Sequence, residues 1–172
     1  TGLGRNPLSV SYAGVQLAKQ VLGELRKCKA LLIGAGEAGQ LVAKALNKSG
    51  TMDMTIANRT HAGAEHLARQ LGGETIPYKH VGKHLNEFDI IITATESPRY
   101  VLTKTMVNSA IATRVKRELF LLDLSVPRTI DPKTSSLNHV NLFNIDDLSS
   151  IAAENLESRR DATTNARTII EE

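Results

Sequence analysis

A short apolar run, Lys29-Ala30-Leu31-Leu32-Ile33, is followed at once by Gly34-Ala35-Gly36-Glu37-Ala38-Gly39. Beyond the last glycine, Leu41, Val42, Ala45 and Leu46 recur at helical spacing. The three glycines therefore satisfy G-x-G-x-x-G at a strand-to-helix junction, the context in which that spacing acts as a nucleotide cradle. In this reading Gly34 permits the tight turn, Gly36 lets backbone approach a pyrophosphate, and Gly39 lets helix and strand pack closely. The amides opening the helix then face the phosphates, aided by the helix dipole. The competing reading is a glycine-rich turn with no ligand.

The chain has 172 residues, enough for one domain with a real core and a possible appendage. Aromatic residues make up 3% and Trp is absent, so the core must be aliphatic. No apolar run approaches membrane-spanning length, and no charged-then-apolar leader opens the chain. A single cysteine, Cys28, excludes an internal disulfide and points to a cytoplasmic protein. The net charge of +3 is compatible with anionic ligands but selects none. The first residue is Thr1 rather than Met, so a processed form or an excised fragment is expected.

Residues 9–25 carry Val10, Ala13, Val15, Leu17, Ala18, Val21 and Leu22 at helical spacing, with Ser9 or Ser11 as the expected cap. After the fingerprint helix, expected to stop near Ser49-Gly50, a second strand is expected over Met54–Ala57. A helix closed by Gly72-Gly73 follows, then a short strand in "ETIPY" and a brief helix from Val81 to Asn86. Asp89–Thr95 is a near-continuous apolar strand, as a parallel sheet covered on both faces requires. "LTKTMVNSAIATR" reads as a helix; "LFLLDLSV" and "VNLFNID" read as the last strands. This alternation predicts an α/β fold, a doubly wound, mostly parallel sheet of Rossmann type with a helical C-terminal extension. The expected division is a domain over 1–147 and the start of a long linker or dimerisation helix over 148–172. Asp146 or Asp147 can cap that helix. Its apolar positions Leu148, Ile151, Ala152, Leu156, Ala166, Ile169 and Ile170 form a thin stripe that bridges domains or awaits a partner.

The second strand points to a particular cofactor. In an NAD-binding unit an acidic residue about 20 positions past the last glycine takes the ribose 2′-hydroxyl. Here that offset lands on Asn58, followed by Arg59 and Thr60. An arginine fork binds a 2′-phosphate that a carboxylate would repel, so NADPH is the expected dinucleotide. The competing reading is a solvated turn with an incidental arginine. Ligands of doubly wound sheets lie beyond the carboxyl ends of the strands. Thr93-Ala94-Thr95 and Leu124-Ser125-Val126 occupy such ends, where small residues let a nicotinamide ribose approach; strand ends of this kind also simply close turns.

Other features carry less. Cys28 precedes the first strand, away from the expected cleft, although Lys27 and Lys29 flank it. His80 and His84 could share a helical face, but a metal site needs three or four ligands; His61 and His66 fare no better. Asp146-Asp147 suits capping, and Arg159-Arg160 a solvated face without the aromatics of a nucleic-acid surface. No acid, base or nucleophile stands out, so no catalytic residue is assigned.

Five stretches together, "GRNPLSVSYAGVQLAKQ", "LLIGAGEAGQLVAKAL", "IANRT", "LLDLSVPRTIDP" and "NLFNIDDLSSIAAENLESR", resemble the glutamyl-tRNA reductase family in order and spacing over nearly the whole chain. The resemblance implies an oxidoreductase of porphyrin (tetrapyrrole) biosynthesis that reduces glutamyl-tRNA to glutamate-1-semialdehyde. It implies an N-terminal catalytic domain whose cysteine attacks the glutamyl ester and a second domain holding NADPH. A long helix then leads to a C-terminal dimerisation domain, and glutamate-1-semialdehyde aminotransferase is an expected partner. This chain matches the second domain and the start of the helix, and Cys28 does not stand where the family's nucleophile does. The family's cofactor contacts carry over onto Gly34–Gly39 and Asn58–Thr60. The alternatives are a shikimate-dehydrogenase-like NADP-binding domain, which also pairs a glycine loop with "NRT", and a non-catalytic dinucleotide-binding module.

Overall fold

The computed structural model describes residues 6–114 and 116–171, with side chains as far as residue 160. Six parallel strands form one sheet: β1 Lys29–Ile33, β2 Asp53–Ala57, β3 Glu74–Thr75, β4 Ile90–Thr93, β5 Leu119–Asp123 and β6 Val140–Asn144. Their order is β3-β2-β1-β4-β5-β6, so the chain reverses direction across the sheet between β1 and β4. The register pairs Leu31 with Thr55 and Ile91, and Thr93 with Asp123.

Among the described residues six α-helices flank the sheet: α1 Pro7–Leu22, α2 Glu37–Lys48, α3 His61–Leu71, α4 Val81–His84, α5 Lys104–Ala112 and α6 Ile145–Glu171. Successive strand residues point to opposite faces. Ala30, Leu32, Ile90, Ile92, Phe120 and Leu122 therefore meet α1, α2, α3 and the start of α6 on one side. Leu31, Ile33, Ile91, Leu119 and Leu121 meet α4 and α5 on the other. All five residues of β5 are buried, which explains why the central strands read as unbroken apolar runs.

Four expectations change in detail. The first helix is capped by Asn6 rather than Ser9 or Ser11. The Asn6 carboxamide oxygen accepts from the amides of Leu8 (3.0 Å) and Ser9 (3.3 Å), and Pro7 takes the first helical position, where no donor is needed. Ser11 is instead inside the helix, its hydroxyl donating to the Pro7 carbonyl at 2.7 Å. That helix ends at Leu22, and Gly23 follows with φ +79. At the other end, α6 is capped by Asn144. Its side chain accepts from the Asp147 amide (3.0 Å) while the Asp147 carboxylate accepts from the Asn144 amide (2.9 Å), a reciprocal capping box. Finally, "ETIPY" contributes only two strand residues, Glu74–Thr75, after which the Ile76 amide still donates to the Ile56 carbonyl at 3.1 Å before the chain turns at Pro77. The stripe positions Ala166, Ile169 and Ile170 lie outside the residues whose side chains are described.

The amino end of the sheet is closed by ions. Asp89 accepts from the Lys29 amide (3.0 Å), Arg114 (2.9 Å) and Arg117 (2.6 Å). Arg114 is itself buried, and it also donates to the carbonyls of Asn86, Phe88 and Glu118. Burial alone would raise the Asp89 pKa; hydrogen bonds from Lys29 and the two guanidinium groups outweigh it and hold the carboxyl below its usual value.

Candidate functional site

Ala94 is the nearest neighbour of all three loop glycines, with Thr95 and Leu32 close behind. Gly34 sits at φ +102, and a Cβ there would lie 2.3 Å from the Ala94 carbonyl oxygen. A Cβ on Gly36 would lie 2.9 Å from the same atom, and one on Gly39 would lie 2.4 Å from the Ala94 Cβ. Gly34 donates to the Ala57 carbonyl (2.8 Å) and Gly36 to the Ala94 carbonyl (2.9 Å). The loop is thus pinned to β2 and β4 as one packed unit, with Gly36 needed inside the protein as well as toward any ligand. The Gln40 side chain folds back to donate to the Ala35 carbonyl at 2.7 Å, holding the loop from the helix side.

Helix α2 begins at Glu37 with Gly36 as its cap, and no side chain satisfies its opening amides. Those donors have no partner within the helix either. They border a cleft of about 430 Å³ lined by residues 35–38, 94–96 and 124–126. A larger cavity of about 630 Å³ adjoins it, sharing Glu37, Ala38, Ser125 and Val126, and runs between α1, the loop after β5 and the start of α6. No cysteine or histidine lines either one.

The strand-end residues divide into wall and support. Ala94, Thr95, Leu124, Ser125 and Val126 line the cleft, and Val126 is 77% exposed at its mouth. Thr93 lies behind the wall with no exposed surface, its hydroxyl donating to Asp123 at 3.1 Å. Ser125 joins the two loops, accepting from the Thr95 amide at 3.1 Å.

Asn58, Arg59 and Thr60 stand apart from that cleft, between the end of β2 and the start of α3. The Asn58 side chain donates to the Thr60 hydroxyl oxygen (3.0 Å), which leaves the hydroxyl proton available to a ligand. A Cβ on Gly63 would come within 2.9 Å of both side-chain atoms in that bond. Among the described residues Arg59 forms no ion pair; its guanidinium lies over the Tyr78 ring, 5.7 Å from the centroid.

Sequence reasoning did not single out Asp123, Gln40, Gly63 or Tyr78. Asp123 was visible as the one carboxylate in the "LFLLDL" run. It is buried and accepts from the amides of Ser125 (3.0 Å), Thr129 (2.8 Å) and Ile130 (2.8 Å) as well as from Thr93. The Thr129 hydroxyl lies within reach of both Asp123 (3.2 Å) and Ser125 (2.9 Å). This carboxylate folds the loop that forms one side of the cleft, a loop in which the Val126–Pro127 peptide is cis.

The remaining candidates lie elsewhere. Cys28 is buried beside the amino end of β1, and burial, reinforced by Asp89, pushes its thiol pKa up. His61 pairs with Glu65 and His84 with Glu87; His66 meets Gln70. Asp146 bonds Arg128 at 2.6 Å, and Arg159 and Arg160 are exposed.

The sequence pattern of shikimate/quinate 5-dehydrogenases matches residues 16–151, most of the chain. The chain belongs to that family. Within it, similarity runs to glutamyl-tRNA reductases. The glutamyl-tRNA reductase of Desulfovibrio desulfuricans is 40% identical over 172 residues, all of this chain and 40% of that protein. The solved structure of the glutamyl-tRNA reductase from Methanopyrus kandleri matches with TM-score 0.87 and 36% identity, over 94% of this chain and 41% of that one. The nucleotide-binding domain of the Thermoplasma volcanium glutamyl-tRNA reductase has the same fold: TM-score 0.66, 19% identity, 88% of this chain and 96% of that one. The chain thus spans about 40% of the length of the reductase relatives it matches. The family pattern stops at residue 151, whereas reductase identity continues through α6. Fold and family agree on a dinucleotide-binding domain. No helix among the described residues is long and apolar enough to cross a membrane.

Proposed function

We propose that this chain is the NADPH-binding domain of a glutamyl-tRNA reductase, with residues 1–147 forming the cofactor unit and 148–172 the start of a helix toward a dimerisation domain. The observation that carries the choice of cofactor is Arg59 at the end of β2, free of carboxylate partners among the described residues, with the Thr60 hydroxyl beside it. A 2′-phosphate suits that pair, and a bare ribose does not need it.

The opening amides of α2, carried by Glu37, Ala38 and Gly39, would hold the pyrophosphate against the Gly34–Gly36 turn. Asn58, Arg59 and Thr60 would hold the adenosine phosphate. Ala94, Thr95 and Leu124–Val126 would border the nicotinamide ribose, with Thr93 fixing the wall behind. When bound, NADPH would supply a hydride, and this chain's residues would orient the dinucleotide. The hydride acceptor would be the glutamyl group, transferred from charged tRNA to the cysteine of a separate catalytic domain with release of the tRNA. The dimer, the aminotransferase partner and a cytoplasmic setting belong to the whole reductase in this reading. No cysteine lines either cavity, so in this reading the chain binds NADPH and leaves the attack on glutamyl-tRNA to the catalytic domain.

Calorimetric titration with NADPH and NADH, on this chain and on Arg59→Ala, tests the reading. NADPH is expected to bind more tightly, and the arginine's loss to cost about 1.5–3 kcal/mol toward NADPH alone. Equal affinity for the two dinucleotides would overturn the choice of NADPH. Turnover of charged tRNA by this chain would overturn the division of labour.

A further inference from the structure

The arginine proposed to clamp the 2′-phosphate has a partner that is not a ligand residue. We propose that Tyr78 is a positioning residue that sets the preference for the phosphorylated dinucleotide, by holding the Arg59 guanidinium over its ring. The inference rests on the assignment of Arg59 to the phosphate and extends it to the group that makes the arginine effective.

An exposed arginine on a turn samples many rotamers, and fixing one of them on binding costs side-chain entropy. Stacking on an aromatic face removes part of that cost in advance, because the planar fork is already oriented before the phosphate arrives. The guanidinium carbon lies 5.7 Å from the Tyr78 centroid, within the range of cation–π attraction.

The ring is itself fixed. Tyr78 is half-buried and packs against the core cluster on the α4–α5 side of the sheet, together with Ile76. It opens a single 3-10 turn directly after Pro77, whose φ of −60 stiffens the approach. The aromatic face is thus carried by the body of the domain, beneath the turn that carries Arg59.

A second observation concerns the polar side chains on either side of Arg59. Gly63 lies in the first turn of α3, where alanine would favour the helix. Its missing Cβ leaves room for the Asn58–Thr60 hydrogen bond, which a side chain would press to within 2.9 Å at both ends. Arg59 is therefore flanked by one residue held on each side while its own side chain rests on the ring.

The attraction comes from the π-face, so the hydroxyl is dispensable and the ring is not. The test is calorimetric titration of this chain and its Tyr78→Phe and Tyr78→Leu variants with NADPH and NADH, with circular dichroism confirming the fold of each. Tyr78→Phe is expected to keep the NADPH-to-NADH affinity ratio within about twofold, since Phe also offers a face to a cation. Tyr78→Leu, which still fills the apolar site, is expected to weaken NADPH about 3–10-fold and leave NADH unchanged. A Leu variant with an unchanged ratio overturns the proposal, as does one that loses both dinucleotides equally, since that outcome marks a merely structural ring. The parent reading fails separately: if Arg59→Ala leaves NADPH binding intact, Arg59 is not the clamp. If Arg59→Ala abolishes the preference while Tyr78→Leu preserves it, only the role of Tyr78 falls.

Discussion

Asp89 and Asp123 border opposite ends of two neighbouring strands, both buried, and their charges are met in opposite ways. Asp89, just before β4, is met by two arginines and an amide. Asp123, ending β5, is met only by neutral donors, three amides and the hydroxyls of Thr93 and Thr129. The first arrangement ties elements of the scaffold together, joining β1, β4 and the segment after α5. The second shapes one loop, because all its donors except Thr93 belong to residues 125–130. Several directed hydrogen bonds specify a loop's path far more closely than an ion pair does, since each fixes one backbone group. The two ends of the sheet thus differ in purpose: one is a strut, the other a mould for the cleft.

The largest expected effect lies at the strut. Asp89→Ala leaves Arg114 buried without its counter-charge and should cost about 3–5 kcal/mol in urea unfolding. The dinucleotide affinity of the folded fraction should stay unchanged, and a matching loss of affinity would break the contrast between the two ends.

A smaller stability loss is expected at the mould, but with a change in binding. Asp123→Asn replaces one acceptor oxygen by a donor facing amides already committed to it, at about 1–3 kcal/mol. Because that loop walls the cleft, dinucleotide affinity should fall in parallel, as calorimetry would read. Unaltered affinity at reduced stability would reduce Asp123 to a second strut.

The smallest effect sharpens the comparison through pH. The Asp89 pKa is lowered in the folded protein, so its contribution is present above the unfolded carboxylate value of about 3.9 and is lost as pH falls through the folded value. Stability of the natural chain should therefore decline below about pH 4. Denaturation series at acid pH should show that decline flattened in Asp89→Asn. An identical slope in both proteins would mean that Asp89 does not carry the acid sensitivity.

The strands were readable because a parallel sheet covered on both faces demands unbroken aliphatic runs, and "DIII" and "LFLLD" supply them. The cap of α1 was misread for a local reason. Ser9 and Ser11 stand close to the apolar pattern, whereas Asn6-Pro7 carries the actual start signal a few residues earlier. The capping of α6 was half legible: Asp147 takes part, but as the partner of Asn144. Around the candidate site, the glycine spacing and "NRT" stood out because each is contiguous. Tyr78 could not stand out, and Ala94 stood out only as a strand end and not as the surface the glycines must clear, since both roles come from approach across the sheet.

By itself the sequence determined the alternation of strands and helices, the place of the glycine turn and the cation at the end of β2. These are local matters, written in periodicity, in the missing side chains of Gly34, Gly36 and Gly39, and in the charge of Arg59. The tertiary structure alone decided that Ala94 is the surface the glycines must clear, that Asp123 folds the opposite wall, and that Tyr78 lies under the arginine. Each depends on a contact between residues far apart in the chain, and only the packed sheet brings such residues within van der Waals or hydrogen-bonding reach.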